Sequence, residues 1–360
     1  MSTWTRALAV LRGGVTAGVF PGACAEAGSG DGPQEQDAIG SLSYEADSPP
    51  VTSATVYDLA SLTKPVAATA VAMRLVEEGR LDLASAVATH EPWWRGADRA
   101  HVTVQDLLEH ASGLPAWAAL WKGRAGRDPV VAAATGVPLE YVPRSQSVYS
   151  DVGFIVLGSV LERVGGATLD EQFDRMCGDW FPAAAESPPL CFRPPPPVRG
   201  LTAPTRFSDA RERLLVAEVD DENAWAMGGV AGHAGLFGTA TAVGTFARMV
   251  LRALRGDREA ERRLATSGTI RRFLAPSTVP GSSRALGWDL MRPTSSCGTR
   301  MSASAFGHTG FTGTSLWIDP ACDFYAVLLT NRVHPVAGPN EPIQAVRRAF
   351  HDALLEGSGI

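Results

Sequence analysis

Strand-like sequence lies near both ends of this chain and helix-like sequence fills the middle, and that order narrows the architecture more than any single motif. Near the start, residues 22–27 and 38–44 read as short strands parted by a Gly/Asp/Gln-rich turn. Near the end, residues 285–291, 314–318 and 324–330 read the same way, the last two joined by the turn sequence Asp319-Pro320-Ala321-Cys322-Asp323. Helical patterns occupy most of the rest. A first helix ends at Leu11 or Val15, and a long one runs over 62–78 to Gly79, with Pro65 near its start. Thr103 with Asp106 and Thr168 with Glu171 are spaced as capping boxes, and the apolar stretch 152–164 stops at Gly165-Gly166. Residues 240–254 and 341–355 supply two further helices, whereas 181–204, with its proline run at 194–197, reads as irregular. The expectation is an α/β fold of the α+β type: an antiparallel sheet flanked by helices, with an all-helical domain inserted. Residues 1–80 and 236–360 form the sheet domain, 81–235 the mostly helical one, and a site falls at their interface.

Composition matters here for what it excludes. A net charge of −6 without a basic stripe gives no reason to expect nucleic acid. The mixed-sign segment around Arg262-Arg263 reads as a solvated helix face. Five widely spaced cysteines form neither a disulfide framework nor a zinc spacing, so buried thiols in a reducing compartment are expected. Arg12 and Gly13-Gly14 interrupt the first apolar run, and nothing reads as a membrane span. A cytoplasmic protein without a membrane partner is the expectation. No phosphate-binding loop, His-Glu-x-x-His or Cys-x-x-Cys is present, so neither cofactor nor metal is expected.

The strongest chemical signal is Ser61-Leu62-Thr63-Lys64, in a chain whose 32 basic residues include only two lysines, Lys64 and Lys122. Residues three apart share a helix face, which brings the amine to the hydroxyl. A lysine, unlike an arginine, can be tuned towards neutrality and take a serine proton. Its bland counterpart is a capping serine beside a solvated lysine. Tyr149-Ser150-Asp151 stands before the apolar helix. Ser150 or Asp151 caps that helix, while Tyr149 is either a packed aromatic or a proton shuttle polarised by Lys64. In Gly307-His308-Thr309-Gly310-Phe311, flanking glycines let backbone approach a ligand, and an N–H there can join that of Ser61 in holding an oxyanion. His233, within Gly232-His233-Ala234-Gly235, lines the cleft or is a loop histidine, and His110 reads as a helix-end residue.

These three segments, in this order and at these separations, resemble the serine beta-lactamase/penicillin-binding-protein superfamily, in its class C beta-lactamase-related branch. That branch includes D-alanyl-D-alanine carboxypeptidases, D-aminopeptidases and carboxylesterases. The likeness spans residue 22 to the final helix. It implies Ser61 as acylated nucleophile, Lys64 as the lysine that lowers its proton affinity, and Tyr149 as the tyrosine of a Tyr-x-Asn element. His308-Thr309-Gly310 then stands for the Lys-Thr-Gly triad beside the substrate, and the N–H groups of Ser61 and Phe311 for the oxyanion hole.

Asp151, where that element has asparagine, cannot donate to a substrate carbonyl when ionised. His308, where lysine is usual, grips a carboxylate less firmly. Both departures favour carboxylic esters, with D-Ala-D-Ala carboxypeptidase or beta-lactamase action as the alternative. Expected ligands are thus a small-molecule ester, a beta-lactam or a short D-amino-acid peptide. Protonation of His308 is expected to strengthen any peptidase activity towards pH 6. A catalytically silent binding or scaffolding protein on the same fold is the rival class.

Overall fold

The computed structural model describes residues 1–181 and 190–356. Its main sheet draws on both ends of the chain: β1 (Gly22–Ser29) and β2 (Gly32–Gly40) lie beside strands that follow residue 280. Three two- or three-residue strands intervene, β3 (Tyr57–Asp58), β4 (Cys191–Phe192) and β7 (Leu236–Gly238), and make a small sheet ordered β3-β7-β4. A short hairpin joins β5 (Phe207–Ser208) to β6 (Arg213–Leu214). The main sheet closes with β8 (Arg284–Ala285), β9 (Trp288–Leu290), β10 (Phe306–Thr309), β11 (Ser315–Asp319) and β12 (Phe324–Thr330), in the order β2-β1-β12-β11-β10-β9-β8. Each pairing in it is antiparallel.

Burial explains why β1 and β12 are apolar on both faces. Ala23, Ala25 and Ala27 of β1, with Ala326 and Leu328 of β12, pack against Trp4, Leu8 and Leu11 of the first helix and Ile343 and Phe350 of the last. Cys24 of β1 and the alternate residues Tyr325, Val327 and Leu329 of β12 join the larger core with Phe246 and Val250 of the helix Ala240–Leu254. Side chains alternate across a strand, so a strand covered on both faces cannot keep a polar face. Glu26 is the exception. It is fully buried, with Arg248 pairing its charge at 2.7 Å and the Tyr325 hydroxyl donating to it at 2.6 Å.

Several boundaries differ from the sequence reading. The turn of the first hairpin is only Gly30-Asp31, and the polar residues 32–37 form β2. An edge strand tolerates them because its outer side meets solvent. Residues 285–291 are two strands, bent at Gly287, whose φ of +77° suits glycine. The helix expected over 62–78 starts as a short turn, Ala60–Leu62, widens into a π-type segment, Lys64–Thr69, and becomes regular at Ala70–Glu77. Pro65 carries no N–H, which breaks the ordinary bonding pattern there. The proline run, read as irregular, opens a helical turn at Pro196–Arg199, since proline suits a first helical position. Part of the expected irregular segment, 182–189, lies outside the described residues. Both capping boxes form, at Thr103–Asp106 and Thr168–Glu171. No single described helix is long and apolar enough to cross a membrane.

Candidate active site

Ser61 sits in the first turn after β3, where the backbone is forced into an unusual path. Ala60 has φ +48°, a left-handed conformation that disfavours a Cβ by about 1–2 kcal/mol. Two bonds hold it: Asp58 Oδ1 accepts the Ala60 N–H at 2.8 Å, and the Thr63 hydroxyl donates to the Ala60 carbonyl at 2.6 Å. The bend presents Ser61 to a cleft of about 640 Å³. Tyr149, Asp151, His233, His308, Thr309, Gly310 and Phe311 line the same cleft. All the candidate residues therefore converge there, except that Lys64 approaches from beneath, fully buried.

Lys64 Nζ meets three acceptors: Ser61 Oγ at 2.9 Å, Asp151 Oδ1 at 2.6 Å and the His233 carbonyl at 3.2 Å. Three acceptors match the three protons of an ammonium. Burial presses its pKa down, but the Asp151 charge and then Tyr149 outweigh that, leaving it above the ordinary lysine value. Here the structure corrects the expectation of a lysine tuned to neutrality. Asp151 keeps it charged, and the same carboxylate oxygen is occupied by Lys64 instead of being free for a substrate amide.

Tyr149 precedes the helix Asp151–Gly165, whose N-cap is Ser150, accepting from the Gly153 N–H at 2.9 Å. The Tyr149 hydroxyl faces both Ser61 and Lys64. Burial raises its pKa, and the Lys64 charge beside it partly offsets the rise. Lys64 and Arg284 both stand over the ring, at 4.6 and 4.9 Å from its centroid.

His308 lies on β10, and it is buried. Its Nδ1 is 2.8 Å from the Thr309 carbonyl, which can only accept, so Nδ1 carries the proton. Nε2 is then a bare acceptor, buried without a protein partner. Burial, followed by Lys64 and Arg284, holds the imidazole well below its usual pKa. It therefore stays neutral at pH 6, and the expected gain in peptidase activity there loses its basis.

His233 contributes through two parts: its carbonyl holds Lys64, and its Nε2 pairs with Asp221 Oδ1 at 2.7 Å. Burial opposes ionisation of Asp221, but His233 and the Ala224 N–H bring its pKa down to about 2. Beyond β10 the chain turns tightly, since a Cβ at Gly310 would collide with the Thr314 hydroxyl and Leu59 carbonyl. The Phe311 N–H that follows has no backbone acceptor among the described residues.

Sequence reasoning missed two arginines behind this turn. Arg347 Nη2 donates to the carbonyls of Gly310 and Thr314, both at 2.8 Å, and Arg332 Nε to that of Phe311 at 2.9 Å. Both are more than nine-tenths buried and line the cleft, yet neither has a carboxylate within salt-bridge distance among the described residues. Burial, then Arg332, pushes Arg347 down to about 9. No local pattern marks two arginines fifteen residues apart as neighbours.

A family model described as Beta-lactamase matches residues 8–349. A putative D-alanyl-D-alanine carboxypeptidase of Escherichia coli (strain K12) is 33% identical over 325 residues, covering 81% of this chain and 72% of the relative. An N-acetylmuramyl-L-alanine amidase of Bacillus subtilis (strain 168) is 32% identical over 318 residues, 80% and 70% of the two chains. The fold is shared with EstCE1, a hydrolase with promiscuous acyltransferase activity, at TM-score 0.73 and 20% identity, covering 97% of this chain and 98% of that one. The chain belongs to the beta-lactamase family, as a hydrolase acting on small acyl substrates.

Proposed function

From that membership and the geometry around Ser61, we propose that the protein is a serine hydrolase working through an acyl-enzyme, with carboxylic esters as its preferred substrates. The observation that carries this reading is the fully buried Lys64 ammonium, 2.9 Å from Ser61 Oγ at the floor of an open cleft. Ser61 Oγ attacks the acyl carbonyl carbon as its proton passes to Tyr149 in its ionised form, a minor species because burial raises the tyrosine pKa, and one that the adjacent Lys64 charge stabilises. The N–H groups of Ser61 and Phe311 hold the oxyanion, because the first N–H groups of a helical turn lack intrahelical acceptors and that of Phe311 has no backbone acceptor among the described residues. Collapse breaks the bond to the leaving alkoxide, which takes the proton back from Tyr149. Water, activated by the same tyrosine, then releases the acid and frees Ser61. A silent scaffold has no chemical need for a lysine so placed, which weighs against the rival class.

Ester preference rests on the neutral His308 and on Asp151, which leave little positive charge beside the reacting carbonyl. A second reading, D-Ala-D-Ala carboxypeptidase, draws support from Arg332 and Arg347, which add cationic character to the cleft and have no carboxylate within salt-bridge distance among the described residues, although Asp220 acts on Arg332 from further away. It also fits the Escherichia coli relative, a putative D-alanyl-D-alanine carboxypeptidase. One preparation tests both. A p-nitrophenyl butyrate, nitrocefin and a D-Ala-D-Ala peptide are compared by kcat/KM for wild type and Ser61→Ala, with intact mass measured after a fluorophosphonate. The expected result is fastest ester turnover, loss of all turnover in Ser61→Ala, and a single label on Ser61. A label elsewhere ends the nucleophile assignment, and a peptide or nitrocefin that outruns the ester ends the ester preference.

A further inference from the structure

We infer that His110 is a positioning residue for Tyr149, clamping the tyrosine from both sides so that its hydroxyl stays aimed at Ser61 and Lys64. The inference rests on the proposed role of Tyr149. His110 lies one residue beyond the end of the helix Val104–Leu108 plus its cap, and its ring is buried. Its backbone carbonyl accepts the Val148 N–H at 2.9 Å, and its Nδ1 accepts the Ser150 N–H at 3.0 Å. These N–H groups belong to the two residues on either side of Tyr149. The ring also lies against that of the tyrosine, tilted by 40° with centroids 4.7 Å apart, and stacks on Phe154 at 4.9 Å.

The backbone of His110 is shaped for this double grip. Its φ of +57° turns the carbonyl towards Val148 while the ring reaches Ser150, and the Tyr141 hydroxyl bonds the same carbonyl at 3.1 Å. A non-glycine residue in the left-handed region is uncommon, and such strain persists where surrounding contacts over-determine it.

The grip requires an unprotonated Nδ1, since a protonated one would face the Ser150 N–H donor to donor. The charged or titratable groups around the ring are Arg284, Lys64, His308 and Tyr149. Burial, then Arg284 and Lys64, hold the imidazole well below its usual pKa, so the acceptor is preserved across the neutral range.

Three variants separate positioning from mere packing. His110→Gly keeps the positive φ at no steric cost but removes ring and acceptor. His110→Asn restores an acceptor where Nδ1 stands and tolerates the left-handed backbone. His110→Gln is equally polar but carries its carbonyl one bond further out. Turnover of p-nitrophenyl butyrate and the rate of fluorophosphonate labelling are measured for each, with circular dichroism and the melting temperature to check folding. Misplacing the tyrosine by about 1 Å predicts a fall in kcat of about 100-fold for His110→Gly, with KM changed less than about threefold. His110→Asn is expected within about tenfold of wild type and His110→Gln close to the glycine variant. The inference is overturned if His110→Gly keeps kcat within about threefold of wild type, or if folded Asn and Gln variants are equally impaired. Should the glycine variant not fold, the Asn-to-Gln comparison decides alone. Wild type that turns over no ester and takes no label on Ser61 would overturn the functional reading and this inference with it.

Discussion

Replacing Asp151 by asparagine tests how this site sets its proton balance, because the change removes one charge and almost no volume. Asp151 Oδ1 lies 2.6 Å from Lys64 Nζ, and the carboxylate side chain is 21% exposed while the lysine is fully buried. Opposite charges at about 4 Å and an effective dielectric of about 20 attract by about 4 kcal/mol, or about 3 pKa units. Partial exposure of the carboxylate reduces this, which places the shift within the range of about 1–3 units seen for neighbouring opposite charges. The sign is the same for both groups in the pair. Asp151 raises the pKa of Lys64 and that of Tyr149, so its neutralisation lowers both. The proton-accepting form of the cluster then appears at lower pH. Measured as kcat/KM for p-nitrophenyl butyrate from pH 5 to 10, the acid limb of Asp151→Asn is expected to move down by about 1–3 units. That limb belongs to the coupled Lys64/Tyr149 pair and not to either group alone.

Stability supplies a second readout of the same charge. Removing one partner of a buried pair costs about 3–5 kcal/mol if the other stays charged. In the variant, burial depresses the folded pKa of Lys64 below its unfolded value, so the native state sheds a proton and the deficit shrinks as pH rises. In wild type the folded pKa is raised, so the lysine's contribution is full below its unfolded pKa and fades only above it. An acid limb that stays in place or moves upward refutes the reasoning, as does a stability deficit that grows towards pH 9.

Lys64→Arg keeps the charge but brings a bulkier, planar group to a fully buried position and so moves that charge away from the Ser61 and Tyr149 oxygens, and acylation of Ser61 is expected to fall by about 10²–10⁴-fold. Tyr149→Phe, with no proton acceptor, is expected to lose a similar factor while still folding. Labelling at the wild-type rate in either variant removes that residue from the acylation step. Burial, then the Asp220 charge, raises the Asp58 pKa to about 7. Its native state therefore binds a proton that the unfolded chain lacks between about pH 4 and 7, and that stability is lost as pH rises through 7. Urea unfolding is expected to show wild type losing about 4 kcal/mol relative to Asp58→Ala across this window. Parallel stability curves would count against a raised Asp58.

The residue order alone determined which groups could react and the broad architecture around them. Ser61 and Lys64 are three residues apart, so any helical turn brings them together. β1 and β12 carry apolar residues on both faces, which required a sheet covered on two sides there. What tertiary structure decided is the electrical state of those groups, because it depends on partners remote in sequence. Asp151 stands 87 residues from Lys64 and fixes the lysine as an ammonium. His308 was legible as a ligand-facing residue, yet its neutrality arises from burial and from Lys64 and Arg284, which arrive from other segments. His110 read as a helix end because its neighbours in the chain are helical, but its ring acts on residues about forty positions later. Periodicity reports which face of an element turns inward, whereas a pKa reports what waits there, and only folding assembles that company.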